Sequence, residues 1–201
     1  MSAAHDYRSA LLRVARWPLH LVRGNPVAGR LLNQLRNDLG GLEFVAMAPG
    51  AGEFRCAADG LVFQVQEHLD ARLLLQIVSV DFILQVPNVD GCLGQILVRH
   101  TGLVRRSGVA YLPASGAADS CEPLIVRLQA DDRLRAALMP LDFTHCRIQA
   151  GKSCLELRLR HFAGSEVVGQ LPRFRRYVPL HATQRDAVLA TFRAFKTLNP
   201  E

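Results

Sequence analysis

The 201-residue sequence contains no CxxC, HxH, HxxxH or HExxH spacing. Metal sites draw on such spacings because they set several donor atoms on one side of a turn or helix. Their absence argues against a metal site, although seven histidines and five cysteines are present. His145 and Cys146 are adjacent, and adjacent side chains on a strand point to opposite faces. Nucleotide signatures are missing too. GxGxxG is absent, and Ala150-Gly-Lys-Ser153 has the end of a phosphate loop without its first glycine. That tetrapeptide lies between two strand-like runs, so a hairpin turn accounts for it. Neither GxSxG nor SxxK occurs, which leaves no recognisable nucleophilic serine. No cofactor is implied and no catalytic residue is assigned.

Long apolar runs are also lacking. The longest, Leu73 to Val86, is interrupted by Gln76, Ser79, Asp81 and Gln85 and is too short to span a bilayer as a helix. Arg13 and Arg16 interrupt the early leucines before they could serve as a secretory signal. The cysteines, at 56, 92, 121, 146 and 154, are odd in number and sit in apolar runs. Buried free thiols in a reducing compartment are therefore expected, and with them a cytoplasmic location.

What is present is ordinary globular material with an uneven charge. Hydrophobic residues make up 49% of the chain, enough for a substantial core. The net charge is +6, and 22 of the 24 cations are arginine. Residues 1–40 hold six cations against two anions, residues 41–144 eight against twelve, and residues 145–201 ten against four. Two basic ends thus flank an acidic middle. Such ends favour anionic partners: phospholipid headgroups, acidic proteins or nucleic acid.

The first basic end reads RSALLRVARWPLHLVRG from Arg8 to Gly24. At helical spacing Arg13, Arg16, His20 and Arg23 gather on one side, with leucines, Val14, Val22 and Trp17 elsewhere. Pro18 kinks any such helix. Arg13, Arg16, Trp17 and Arg23 are the candidates for an anionic-surface contact. The rival reading is a lid on a sheet with a basic outer side.

Asn25-Pro26 then suggests a helix start. Val27, Ala28, Leu31, Leu32, Leu35 and Leu39 form an apolar stripe, closed by Gly40-Gly41. Strand-like runs follow at 42–48, 54–57, 61–66 and 72–86, the last as one strand or two around a bulge near Ser79–Asp81. Further strands are expected at 95–100, 109–112, 124–128, 143–149 and 154–162. Helices are expected near 27–39, 131–139 and 181–197. Asp131-Asp132 opens the second and a Thr183–Asp186 capping box the third. The fold class is α+β, with antiparallel sheet and packed helices. Residues 1–24 form a basic segment. Residues 25–201 form one domain, or two lobes meeting at the loop 113–123. Two stretches each run helix, strand, turn, strand and then histidine (His68 and His161), which can be read as an internal αββ duplication.

Three other features bear on function. Asp81, inside an apolar strand, needs an arginine partner or would have a raised pKa. Cys92, between Gly91 and Gly94, is the best candidate for an exposed thiol. A pocket around Asp81 or Cys92 is the enzymatic or small-molecule alternative. Third, Leu171-Pro-Arg-Phe-Arg-Arg-Tyr177 interleaves aromatics with Arg173, Arg175 and Arg176. In an extended segment Arg173, Arg175 and Tyr177 share one face, and Phe174 and Arg176 the other. That pattern suits an anionic surface, with nucleic acid as a second alternative.

Residues Ala130 to Phe143, the hairpin after them and Arg176-Tyr-Val-Pro-Leu180 resemble an uncharacterised proteobacterial family of unknown function, mainly over residues 124–198. The resemblance implies a bacterial origin and no activity, cofactor or site. The helix-then-hairpin portion is also similar to bacterial pleckstrin-like modules at membrane surfaces. The expected function is a non-enzymatic binding or scaffold module. Its basic ends would meet an anionic membrane surface or a membrane-associated partner protein, peripherally at the inner membrane.

Overall fold

The computed structural model describes residues 28–71, 75–102, 105–114, 118–170 and 172–198. The chain order is α1 (Arg30–Asp38), β1 (Glu43–Ala48), β2 (Ala51–Cys56), β3 (Leu61–Ala71), β4 (Leu75–Pro87), β5 (Gly94–Thr101), β6 (Gly108–Pro113), α2 (Ala118–Ala130), α3 (Asp132–Leu138), β7 (Phe143–Ala150), β8 (Cys154–His161), β9 (Ser165–Gln170), β10 (Arg173–Val178) and α4 (Ala182–Leu198). The fold is α+β, and the described strands form one antiparallel sheet.

Strand order is β1-β2-β3-β4-β8-β7-β5-β6. β4 is one continuous strand, and its interruption lies in its partners. On one edge it pairs β3. On the other, β8 pairs Asp81–Pro87 and β9 pairs Leu75–Val78. β8 and β9 therefore run end to end along β4, with Phe162–Gly164 looping out between them. β10 pairs β9. β9 has no counterpart among the runs read from the sequence.

His161 pins the joint where β8 gives way to β9. It is buried, with the Asp142 N–H 2.9 Å from its Nε2 and the Ala163 N–H 2.9 Å from its Nδ1. The Gly164 N–H donates to the Val178 carbonyl, which ties the loop to β10. His68 pairs with Ser79 on β3–β4, and Arg160 pairs with Asp81 on β4–β8. His68 and His161 thus face opposite sides of the sheet, because side chains alternate along a strand.

One sheet face carries Phe54, Phe63, Phe82, Leu157, Leu159, Ile148 and Ile96, all buried. Helices cover it. Phe192 of α4 packs on Phe63 at 5.2 Å between ring centroids. The Leu138 carbonyl of α3 meets His100. Of the expected stripe, Leu31, Leu32 and Leu35 of α1 and Leu39 just after it are buried, whereas Ala28 is exposed ahead of the helix and Val27 lies outside the described residues. Val188, Leu189, Phe192 and Phe195 of α4 are buried likewise.

Helix starts depart in part from the sequence reading. Asn25-Pro26 lies outside the described residues, and α1 begins at Arg30. Its free N–H groups are satisfied from a distance: Glu67 of β3 accepts from Gly29 and Leu32. Gly29 needs its φ of 88° to lead the chain into that contact. Asp131 caps α3 as expected, accepting from Leu134 at 2.6 Å. α4 starts earlier than the Thr183 box. The His181 N–H donates to Gln184 Oε1, the reaching-back half of a capping box.

Two expectations are overturned. Leu124–Leu128 is not a strand but the middle of α2, and its buried positions, Cys121, Leu124 and Leu128, recur at helical spacing. A five-residue run after a proline, apolar but for Arg127, could not distinguish the two. Cys92 and Cys121 are not free thiols. They form a disulfide that ties α2 to the loop before β5, and only Cys56, Cys146 and Cys154 are free. Residues 29 positions apart in sequence met because α2 folds back on β5 and β6.

Two predictions follow from these joints. Unfolded without reductant, the protein should titrate three thiols, and five would contradict the disulfide. Cys92→Ala should lower stability by about 2–4 kcal/mol in urea unfolding, since the cross-link restricts the unfolded chain. The second concerns acid. Burial holds the His161 pKa below its ordinary value of 6.5, as it does for His68 and His100. The unfolded chain therefore takes up these protons first, and stability should fall as pH drops below about 6.5. Protonating His161 would also leave neither ring nitrogen able to accept from the Asp142 or the Ala163 N–H. His161→Ala should cost about 2–4 kcal/mol at neutral pH and flatten this acid limb in thermal unfolding.

Candidate binding surfaces

The sheet face opposite the helices is polar at its centre. Asp81 is only 4% exposed. Arg160 grips it with two bonds, Nε to Oδ1 at 2.5 Å and Nη2 to Oδ2 at 2.9 Å. Arg158 adds Nη1 to Oδ2 at 3.3 Å and also pairs with Glu156. Gln85 donates to the other oxygen of Glu156. Alternation dictates this meeting: Asp81 lies opposite Arg160, and Ile83 opposite Arg158, in the β4–β8 register. Burial pushes the Asp81 carboxyl up, but the hydrogen bonds and charges of Arg160 and Arg158 outweigh it and hold the pKa below 3.8. Asp81 is thus a strut held in its ionised form at neutral pH, paired with arginine as the sequence required.

The second surface is the β9–β10 hairpin. Its register confirms the alternation: Arg173, Arg175 and Tyr177 lie on the helix-covered face, and Phe174 and Arg176 on the other. The first face anchors the hairpin. Tyr177 donates from its hydroxyl to Asp38 of α1 at 2.5 Å, and the Leu180 N–H donates to the same carboxylate. Burial, with the Asp38 carboxylate beside it, pushes the Tyr177 pKa far up. Glu166, 2% exposed, lies 3.7 Å from both Arg175 and Arg30. On the other face Phe174 lies across Gly169, where any added Cβ would strike its ring. The ring is still 46% exposed. Arg173 and Arg176 are exposed and make no ion pair among the described residues.

A family model described as "Protein of unknown function (DUF3156)" matches residues 37–199. The chain belongs to the DUF3156 family. No curated protein and no solved structure matches it. The DUF3156 match reaches well beyond residues 124–198, taking in every described strand and α2, α3 and α4. It includes both surfaces described above.

Other candidates fare differently. Arg13, Arg16, Trp17 and Arg23 lie outside the described residues. Cys92 is sealed in its disulfide and wholly buried, so it presents no thiol for nucleophilic chemistry. One cleft of about 530 Å³ lies between α1 and β1–β2, and a smaller one of about 200 Å³ beside Gly60 and Val86. Neither is lined by Asp81 or Cys92. Among the described residues no group of three histidines, cysteines or carboxylates is placed to hold a metal. No described helix is long and apolar enough to cross a membrane. The anchors Asp38, Glu166 and Gly169 escaped the sequence reading, since each acts through a partner far away or across a strand pair.

The Asp81 network of this DUF3156 chain is testable by unfolding. Removing one partner of a buried pair costs about 3–5 kcal/mol. Arg158 and Arg160 keep some water contact, so Asp81→Asn should cost about 2–3 kcal/mol in urea unfolding. A double-mutant cycle with Arg160→Met should show coupling. The pair's contribution should be complete above the ordinary carboxylate value of 3.8 and lost as pH falls toward the lowered one.

Proposed function

We propose that this DUF3156 chain is a non-enzymatic binding module that meets an anionic membrane surface peripherally, through its basic ends. The observation that carries this reading is the β9–β10 hairpin. Its inward Tyr177 and Arg175 are committed to Asp38 and Glu166, while Arg173 at the start of the same face, and Phe174 and Arg176 on the other, are exposed. An exposed ring with the unpaired Arg176 on its own face and Arg173 at the strand end suits the headgroup region, where the ring meets acyl chains and the cations meet phosphate. Each basic residue near such a surface contributes about 1 kcal/mol. Two or three are too few for firm attachment, so the reading assigns the other half of the contact to Arg13, Arg16, Trp17 and Arg23. A membrane-associated acidic partner protein would use the same cations.

The test is co-sedimentation of the full chain with neutral and anionic vesicles at low and high salt. Binding should require anionic lipid and weaken with salt. Arg173→Glu with Arg176→Glu should reduce it at least tenfold, roughly the loss of two such contacts with added repulsion. Phe174→Ala should weaken it without changing the salt dependence. No binding to anionic vesicles at low salt would overturn the reading, and binding to oligonucleotides alone would move the hairpin to nucleic acid.

A further inference from the structure

The bare face of the sheet carries cations beyond the Asp81 network. Alternation places Arg158 and Arg160 of β8, His145 and Arg147 of β7, and Leu97 and Arg99 of β5 side by side on it. Arg147 lies opposite Arg158 on one neighbour and opposite Leu97 on the other, and His145 lies opposite Arg160. Asp81 and Glu156 occupy Arg158 and Arg160. Arg99 and Arg147 are exposed and make no ion pair among the described residues. Like charges that face each other across a strand pair are destabilising, so the Arg147–Arg158 pairing is a repulsion that a bound anion relieves. Apolar surface adjoins these cations: Leu112 of β6 sits opposite Leu97 and is 44% exposed.

The β9–β10 hairpin contributes to the same face. Phe174 lies opposite Gly169 and Arg176 opposite Val167, and these two lie opposite Leu75 and Ile77 of β4. β4 keeps an unshifted register with β3 from Gln76 to Ile83, so Ile77 and Asp81 point the same way. Phe174 and Arg176 therefore share the face of Arg99 and Arg147. The order β10-β9-β4-β8-β7-β5 separates the two groups by about 24 Å, at roughly 4.8 Å per strand.

We propose that the bare face of the sheet, from Phe174 and Arg176 across to Leu112, lies flat on an anionic bilayer, with Arg99 and Arg147 as a second headgroup-binding cluster. The proposal rests on the membrane reading of the hairpin and extends it to a footprint and an orientation, with the helices turned away from the lipid. Cations interspersed with exposed apolar side chains match a bilayer surface: the guanidinium groups reach the headgroups, and Leu112 and Phe174 reach the acyl boundary. A single-stranded nucleic acid draws on successive stacking rings, and among the described strands Phe174 is the exposed ring on this face.

The test is co-sedimentation of the full chain with phosphatidylcholine vesicles, with and without phosphatidylserine. The salt is set at about 0.1 M, where charges more than about 10 Å from the bilayer are largely screened. Arg99→Glu with Arg147→Glu should weaken binding to the phosphatidylserine vesicles about tenfold or more, the loss of two headgroup contacts. Arg133→Glu with Arg135→Glu makes the same charge change on α3, on the helix side, and should leave binding nearly unchanged. Leu112→Ser should weaken binding without altering its salt dependence. All five side chains are exposed, so the thermal midpoint should not fall. If Arg99→Glu with Arg147→Glu binds like the unmodified chain while Arg173→Glu with Arg176→Glu does not, the contact is confined to the hairpin and this inference fails alone. An equal loss in the α3 variant would also overturn it, because net charge and not one face would then govern binding. An unmodified chain that ignores phosphatidylserine vesicles would overturn the hairpin reading and this one together. Oligonucleotide binding that requires Arg99 and Arg147, without vesicle binding, would overturn both in favour of nucleic acid.

Discussion

β4 must satisfy two neighbours with one edge, and the rest of the molecule is arranged around that constraint. Asp81–Pro87 belongs to β8 and Leu75–Val78 to β9. Ser79 and Val80 mark the change of partner. An interruption inside a sheet leaves backbone groups that need other partners. His161 and Gly164 supply some of them, the one meeting Asp142 and Ala163 and the other Val178. On the opposite face Arg160, the residue before His161, binds Asp81 at the end of the β8 pairing. One short stretch of chain therefore locks both faces of the joint. The hairpin that emerges beyond it pairs with β4 through β9 and is tied to α1 by the Tyr177–Asp38 contact.

How much of this was legible depends on whether a residue's role is local. The α1 stripe, the buried face of α4 and the Asp131 cap were readable because neighbours on one helix decide them. The hairpin across Ala150–Ser153 was readable from its turn residues. Leu124–Leu128 misled because a short apolar run fits either period, and only the more distant Cys121 shows the helical one. The disulfide was invisible for the same reason at larger scale: an odd cysteine count gives no pairing, and α2 first had to be a helix for Cys121 to reach Cys92. For the site, the alternation of Arg173, Phe174, Arg175 and Arg176 was legible. Which face is held was not, because that depends on Asp38 and Glu166, remote in sequence.

The distribution of arginine gives the two surfaces different characters. On the bare sheet face the guanidinium groups of Arg158 and Arg160 are spent on Asp81 and Glu156, where planar, bidentate geometry gives arginine its advantage over lysine. That network stabilises the sheet and leaves little charge to offer. On the hairpin the same residue type is left unpaired beside an exposed ring. A sequence-level count of cations treats these surfaces alike. Their ion pairs distinguish them: Arg158 and Arg160 are paired, and Arg173 and Arg176 make no ion pair among the described residues, which is why the proposed contact is sought at the hairpin.

Hydrogen exchange of the full chain, alone and with anionic vesicles, tests this account most directly. Without vesicles the β4 amides of Gln76–Val78 and Asp81–Ile83 should be among the slowest to exchange, because those stretches are paired on both edges. With vesicles, added protection should fall on Arg173–Arg176 and leave β4 unchanged. Fast exchange over Leu75–Val78 would contradict the end-to-end pairing of β8 and β9. Vesicle protection that bypasses the hairpin would contradict its assignment as the binding surface.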